Sequence, residues 1–302
     1  MLYHTKLGKF SLMDLDATVT KLVILSPSEQ KRFDSPPKFN ADEQTIYFAL
    51  NNDILHILDK LRTVTNKVGF LLQLGYFRSH GKFYTANQFR QQDIDYVVRL
   101  LGLNATQLDF DKYQKRIPAL HCKKILVHLG WKSLDQTIQA EIFEHLLWHV
   151  KNQHAPRQLF LIAIDYCWQH KIELPSYNQI ALLITQAYNE NESTIIAQLK
   201  TLLNNKHKKL LTELVSVDNR AKRKFQRPPI TQLKHINQSL RPSDIQENVK
   251  TFILIKTYFD EFQLIYKKLD LSDQAAEYFA IWVQKAESFQ INSFSNKYTA
   301  HY

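Results

Sequence analysis

The sequence predicts an all-α protein. Three observations carry that prediction. Only 6 Gly and 9 Pro stand in 302 residues, too few for the many tight turns of a sandwich or a Rossmann fold. Long alternating strands are scarce. Apolar residues recur at helical spacing along the whole chain. Apolar side chains make up 44%, enough for a sizeable core, and the length suffices for two domains.

Residues 1–24 carry no decisive pattern. Ser26-Pro27 with Glu29 three residues after the serine marks a helix start, and Pro36-Pro37 marks its stop. "ADEQTIYFAL" (41–50) and "NDILHILDKL" (52–61) read as two helices. "NKVGFLLQLGYFRSHGKFY" (66–84) begins as a helix with Val68, Leu71, Leu72, Leu74 and Phe77 spaced mostly for one apolar face. It ends in Arg78, Ser79, His80, Gly81 and Lys82, a cluster of donors and positive charge. "DIDYVVRLLG" (93–102) is a helix with a glycine stop.

In "IPALHCKKILVHLGW" (117–131), Pro118 falls in a first turn, where its missing N–H costs nothing. Leu120, Ile125, Leu126 and Leu129 follow, and Gly130 ends the helix. Residues 134–152 form a long amphipathic helix. "HAPRQ" (154–158) is the best domain boundary, dividing 1–152 from 155–302. Helices resume at 158–171 and at 174–188, the second opening on Pro175 and Ser176. "ESTIIAQLKTLLNN" and "KKLLTELVSV" read as two further helices. "NRAKRKFQRPP" (219–229) is a basic, exposed loop, and 241–269 and 272–289 are the last helices.

The formal charge is +10, so the first partner to consider is a polyanion. The excess is uneven. From Lys200 to Lys234, ten Lys or Arg meet two acids, Glu213 and Asp218. From Lys112 to Lys132 there are six Lys or Arg and no acid. Outside these stretches the chain is net acidic. Cys122 and Cys167 stand alone, so neither a zinc knuckle nor a disulfide framework is indicated. The first ten residues hold no apolar signal-peptide core, and no apolar run approaches the roughly 20 residues of a membrane span. The expected location is cytoplasmic.

Few constellations suggest chemistry. His145 and His149 lie four apart on one helix, but Leu146 stands where a zincin needs Glu. Asp93 with Asp95, and Asp109 with Asp111, flank helix ends, where acids favour the dipole. No phosphate-cradling glycine loop and no GxSxG are present. The reading is therefore of no catalytic residues, no metal and no cofactor.

The basic clusters are the candidate site. Lys112, Lys115 and Arg116 precede a helix, Lys123 and Lys124 sit on it, and Lys132 follows its glycine stop. A helix so charged can lie along a duplex, its cations releasing counterions from phosphates; a merely solvated face is the other reading. Lys222, Arg223, Lys224 and Arg227 form the second cluster, either a DNA contact or an exposed basic linker.

At these residues the chain resembles the N-terminal region of replicative transposases of the Tn-three type. The resemblance rests on Leu25-Ser26-Pro27-Ser28-Glu29, on Tyr47, Phe48 and Asp53, and on a long motif. That motif comprises Asn66, Lys67, Val68, Gly69, Phe70, Gln73, Leu74, Tyr76, Arg78 and Gly81. A later segment adds His121, Ile125, Leu129, Gly130, Trp131 and Lys132, with Arg116 off register for the motif's arginine. The resemblance implies recognition of the double-stranded terminal inverted repeats of a transposon. It implies a DDE catalytic core lying beyond the stretch matched here, so that this chain is a truncated, DNA-binding portion without activity of its own. Self-association with other transposase chains is a further expectation.

Together these readings give two consecutive multi-helix DNA-binding domains, 1–152 and 155–302, with helix-turn-helix-like elements compatible with the pattern. Lys67, Arg78 and Lys82 join the basic clusters as DNA contacts, Gly69 and Gly75 allow close helix packing, and 78–82 forms a surface turn. In a second reading Arg78 is an internal strut that fixes that turn. The alternative function is a helical protein-interaction scaffold, antitoxin- or immunity-like, which predicts a large exposed apolar groove rather than basic stripes.

Overall fold

The structure is a computed structural model that describes residues 22–113, 116–216, 228–234, 238–287 and 291. Of Lys112 and Arg116 it describes the backbone only. It is all-α: the described residues form helices joined by short turns, with no strand and one isolated parallel bridge between Lys132 and Ile172. Lys115, Lys222, Arg223, Lys224 and Arg227, and all but the last two residues of the 219–229 loop, lie outside the described residues.

The chain divides into two compact units. The first takes the described residues of Met1–Trp148 and Ala155–Ala187, the second those of His149–His154 and Tyr188–Tyr302. The contact boundary thus lies near residue 187, whereas the sequence reading set the divide at 155.

In the first unit, α1 (Pro27–Phe33) starts with Ser26 and Glu29 in a reciprocal capping box. Asn40 and Glu43 cap α2 (Ala41–Tyr47) in the same way. The third helix is α3 (Asn52–Asp59). The centre is α4 (Val64–His80), an unbroken buried run from Val68 to Phe77. The expected one-faced helix is instead enclosed all round, as its apolar residues on every side require.

Two glycines let neighbours reach that helix. A Cβ on Gly75 would stand 2.2 Å from the Phe48 ring, and one on Gly69 2.7 Å from the Tyr113 ring. Tyr76, also buried on α4, donates its hydroxyl to Asp93 Oδ2 at 2.9 Å, and Gln44 Nε2 donates to Oδ1 at 2.8 Å. Asp93 is therefore a buried structural acceptor, each of its oxygens taking one donor.

Around α4 lie α5 (Gln91–Leu100) and α6 (Arg116–Leu129), followed by α7 (Gln136–Lys151) and α8 (Pro156–Gln169). Gly81, Gly102 and Gly130 follow α4, α5 and α6 with φ of 65°, 61° and 68°, a conformation that lets a chain leave a helix. The next helix, α9 (Tyr177–Leu202), joins what the sequence reading separated into two. The intervening "NEN" (189–191) contains neither Gly nor Pro, so nothing stops propagation. Residues 22–25 are tied to α9 by Leu22 N–H on Thr185 Oγ1 and Ile24 N–H on Tyr177 Oη, each at 3.1 Å.

The second unit holds the later part of α9, then α10 (Asn205–Val215), α11 (Pro229–Leu233), α12 (Pro242–Tyr266) and α13 (Asp273–Lys285). The short α11 was not expected from the sequence. Lys151 pairs with Asp270 at 2.7 Å, and Ser272 donates to Lys151 O at 2.8 Å.

Candidate nucleic-acid interface

The sixth helix divides its side chains by face. His121, Ile125 and Leu126 are buried, and Ile125 and Leu126 join the core around α4. His121 meets Tyr113 Oη through Nδ1 at 2.8 Å and packs edge-on to Phe70. Burial, reinforced by the charge of Lys124, pushes His121 down to about 4. The opposite face carries Leu120, Lys123, Lys124 and Val127, all exposed, with Leu120 at 51% and Val127 at 74%. Their spacing of three, one and three residues makes one stripe on a helix. Leu120 stands among the apolar residues of this helix in the sequence, and the 3.6-residue period it shares with Lys123 and Lys124 places it outside. Lys132 is exposed just beyond Gly130, and its backbone bonds to Lys171 O at 2.7 Å and Glu173 N–H at 2.9 Å hold it in place.

Lys67 is half-exposed in the first turn of α4. The end of α4 corrects two expectations. Lys82 is only 5% exposed. Its Nζ donates to Asp34 Oδ1 at 2.8 Å and Phe33 O at 3.2 Å, and lies 3.4 Å from the Phe33 ring centroid. Burial lowers its pKa, with Asp34 acting in the opposite sense. A lysine so enclosed is a strut, because a phosphate contact would need it to leave a carboxylate and a ring.

Arg78 is half-buried, and its Nη1 donates to Tyr47 O at 3.1 Å and Ala49 O at 2.8 Å. It closes the open carbonyls after α2, so its internal role is the one the geometry carries. Gly81 is buried as well: Trp131 and Trp168 stack edge-on at 5.1 Å above it, and its carbonyl accepts Leu174 N–H at 2.8 Å. The expected surface turn is thus an interior joint.

Ser79 and His80 instead look onto a cleft of about 910 Å³. Its walls include Lys31, Arg32, Lys38 and Arg90 around the Pro36-Pro37 corner. His80 bonds Ser79 Oγ through Nδ1 at 2.7 Å. Partial burial and the charge of Lys82 lower the His80 pKa, which favours a neutral imidazole. This cleft was not read from the sequence.

The histidines of α7 serve packing. His145 stacks on Tyr166 at 4.5 Å, and His149 lies edge-on to His154 at 4.8 Å. Among the described residues no group of three His, Cys, Asp or Glu converges to hold a metal ion. No described helix is long and apolar enough to cross a membrane.

The fold and surface define an all-helical domain built round a buried central helix, with the lysines of the outer α6 face turned to solvent. Residues 24–187 match the family described as "Domain of unknown function (DUF4158)", and the chain belongs to that family. The match ends where the first compact unit ends. The chain is also 22% identical over 196 residues to the transposase for transposon Tn1546 of Enterococcus faecium, so it is transposase-related. That alignment covers 64% of this chain and 20% of the transposase.

Proposed function

We propose that this chain is the DNA-binding portion of a transposase, recognises the terminal inverted repeats of its transposon, and has no catalytic activity of its own. The observation that carries this reading is the outer face of α6. Lys123 and Lys124 stand beside exposed Leu120 and Val127, and no acid lies between residues 112 and 132. Such a face suits a helix seated in a major groove, with lysines on phosphates and apolar side chains against thymine methyl groups. The α6–turn–α7 pair then acts as a helix-turn-helix-like element. Lys112, Lys115, Arg116 and Lys132 extend the contact, Lys67 adds to it, and Lys222, Arg223, Lys224 and Arg227 supply a second one. Parts 1–152 and 155–302 each take a share of the site. The protein works in the cytoplasm on nucleoid DNA and self-associates at paired transposon ends.

Replacing Lys123 and Lys124 by Ala tests the reading. Affinity for duplexes of any sequence should fall, and the dependence of log K on log salt should lessen by about 0.9 per lost contact. An unaltered slope refutes the placement of α6. One observation favours a protein-interaction scaffold instead: α12 exposes Phe252, Ile253, Phe259 and Leu264, and α13 exposes Tyr278 and Phe279. Gel shifts with random DNA at low and high salt separate the two, since a scaffold binds at neither.

A further inference from the structure

We infer that the cleft at the Pro36-Pro37 corner is an additional DNA contact, in which Lys31, Arg32, Lys38 and Arg90 hold phosphodiester groups; this rests on the DNA-binding reading above. The argument begins with charge. Residues 26–38 contain three cations and two acids, Glu29 and Asp34, so the stretch looks nearly balanced. Folding turns both acids away. Glu29 takes the guanidinium of Arg157 at 2.5 Å and caps its own helix. Asp34 takes Lys82 Nζ at 2.8 Å and Tyr177 N–H at 3.0 Å. Lys31, Arg32 and Lys38 remain exposed on the cleft wall.

Arg90 adds a fourth charge in a fixed position. Its Nε and Nη2 both donate to Pro36 O, at 3.1 and 2.6 Å. That clamp holds the guanidinium and the proline corner together, and the two prolines fix their own φ angles. Among the described lining residues the one carboxylate is Glu43, whose Oε2 is occupied by Asn40 N–H at 2.8 Å. The lining is therefore net positive by three charges in a preformed concave site.

This chemistry repels a metal cation and selects an anion. A cleft of about 910 Å³ is several times larger than one phosphate needs, and its cations come from separate segments around the corner. An extended chain of phosphates fits that spread; a single oxyanion would leave most of the charge unused. Ser35 cannot substitute for a cation, because its hydroxyl already donates to Lys31 O at 2.5 Å.

The test compares the whole chain with R32A/K38A and K123A/K124A variants. Each is titrated against a short random-sequence duplex from about 50 to about 200 mM salt. Calorimetry with inorganic tripolyphosphate runs beside it. The cleft variant should lose tripolyphosphate binding, and its duplex salt slope should fall by about 0.9 for each of the two lost contacts. Lys38→Ala alone should show about half that change; it lies outside any helix, so loss of a helix end cannot account for it.

A cleft variant that matches wild type on duplex while K123A/K124A loses affinity overturns the cleft and leaves the DNA reading standing. Loss of tripolyphosphate binding with unaltered duplex affinity also overturns it, since the cleft would then serve a free phosphate compound. A wild-type chain that binds no duplex at low salt overturns both readings.

Discussion

Lys82→Ala separates an internal strut from a DNA contact. The substitution removes an ammonium group 2.8 Å from Asp34 and 3.2 Å from Phe33 O, together with its place over the Phe33 ring. Breaking a buried ion pair by truncating one partner costs about 3–5 kcal/mol. Here the Asp34 side chain is 36% exposed and keeps the Tyr177 N–H, so water offsets part of that loss. About 2–3 kcal/mol remains. For a cooperative unit of this size that lowers the thermal midpoint by roughly 4–12 °C. The double variant Lys82→Met with Asp34→Asn should recover most of the loss, because an apolar stem fills the same space and the introduced amide oxygen still accepts the Tyr177 N–H. Circular dichroism melting of both variants, with duplex affinity measured on the same folded samples, is the assay. Wild-type melting in Lys82→Ala combined with weakened duplex binding would refute the reasoning and return Lys82 to the interface.

Gly75→Ala should lower the unfolding free energy by about 1–3 kcal/mol, read as a lower urea midpoint at constant m-value, because the added methyl would meet the enclosed Phe48 ring at 2.2 Å; an unaltered midpoint rejects the close α2–α4 approach. His121, with its folded pKa near 4 against an ordinary 6.5, leaves the unfolded chain binding more protons between those values. Its contribution is whole above about pH 6.5 and is lost as pH falls towards 4, by about 3 kcal/mol at most. His121→Gln should flatten that part of the stability profile relative to wild type, and an identical pH slope in urea titrations counts against it.

Local signals were legible from sequence because they act within one turn of chain. Ser26 with Glu29 announced the capping box of α1, and Gly81, Gly102 and Gly130 announced three helix ends by the φ > 0 they permit. Helical periodicity established the all-α class. It failed where apolar residues surround a helix: α4 is buried on every side, so its pattern named no face. It failed again at α9, where two periodic stretches are one helix because no residue between them interrupts the hydrogen-bond ladder. On α6 the sequence identified Lys123 and Lys124, while the exposure of the neighbouring Leu120 followed only once the buried face was known.

The sequence by itself determined where most of the helices lie, where most of them stop and how much positive charge the chain carries. Only the tertiary structure decided where that charge is free. Lys82 finds Asp34 across 48 positions, Arg78 finds carbonyls about 30 residues away, and Glu29 finds Arg157 across 128. Pairing and desolvation depend on distance in space, which residue order does not encode locally. Arg78 of the motif and Lys82 just beyond it are therefore drawn into internal contacts, while three inconspicuous cations at a proline corner are left facing solvent.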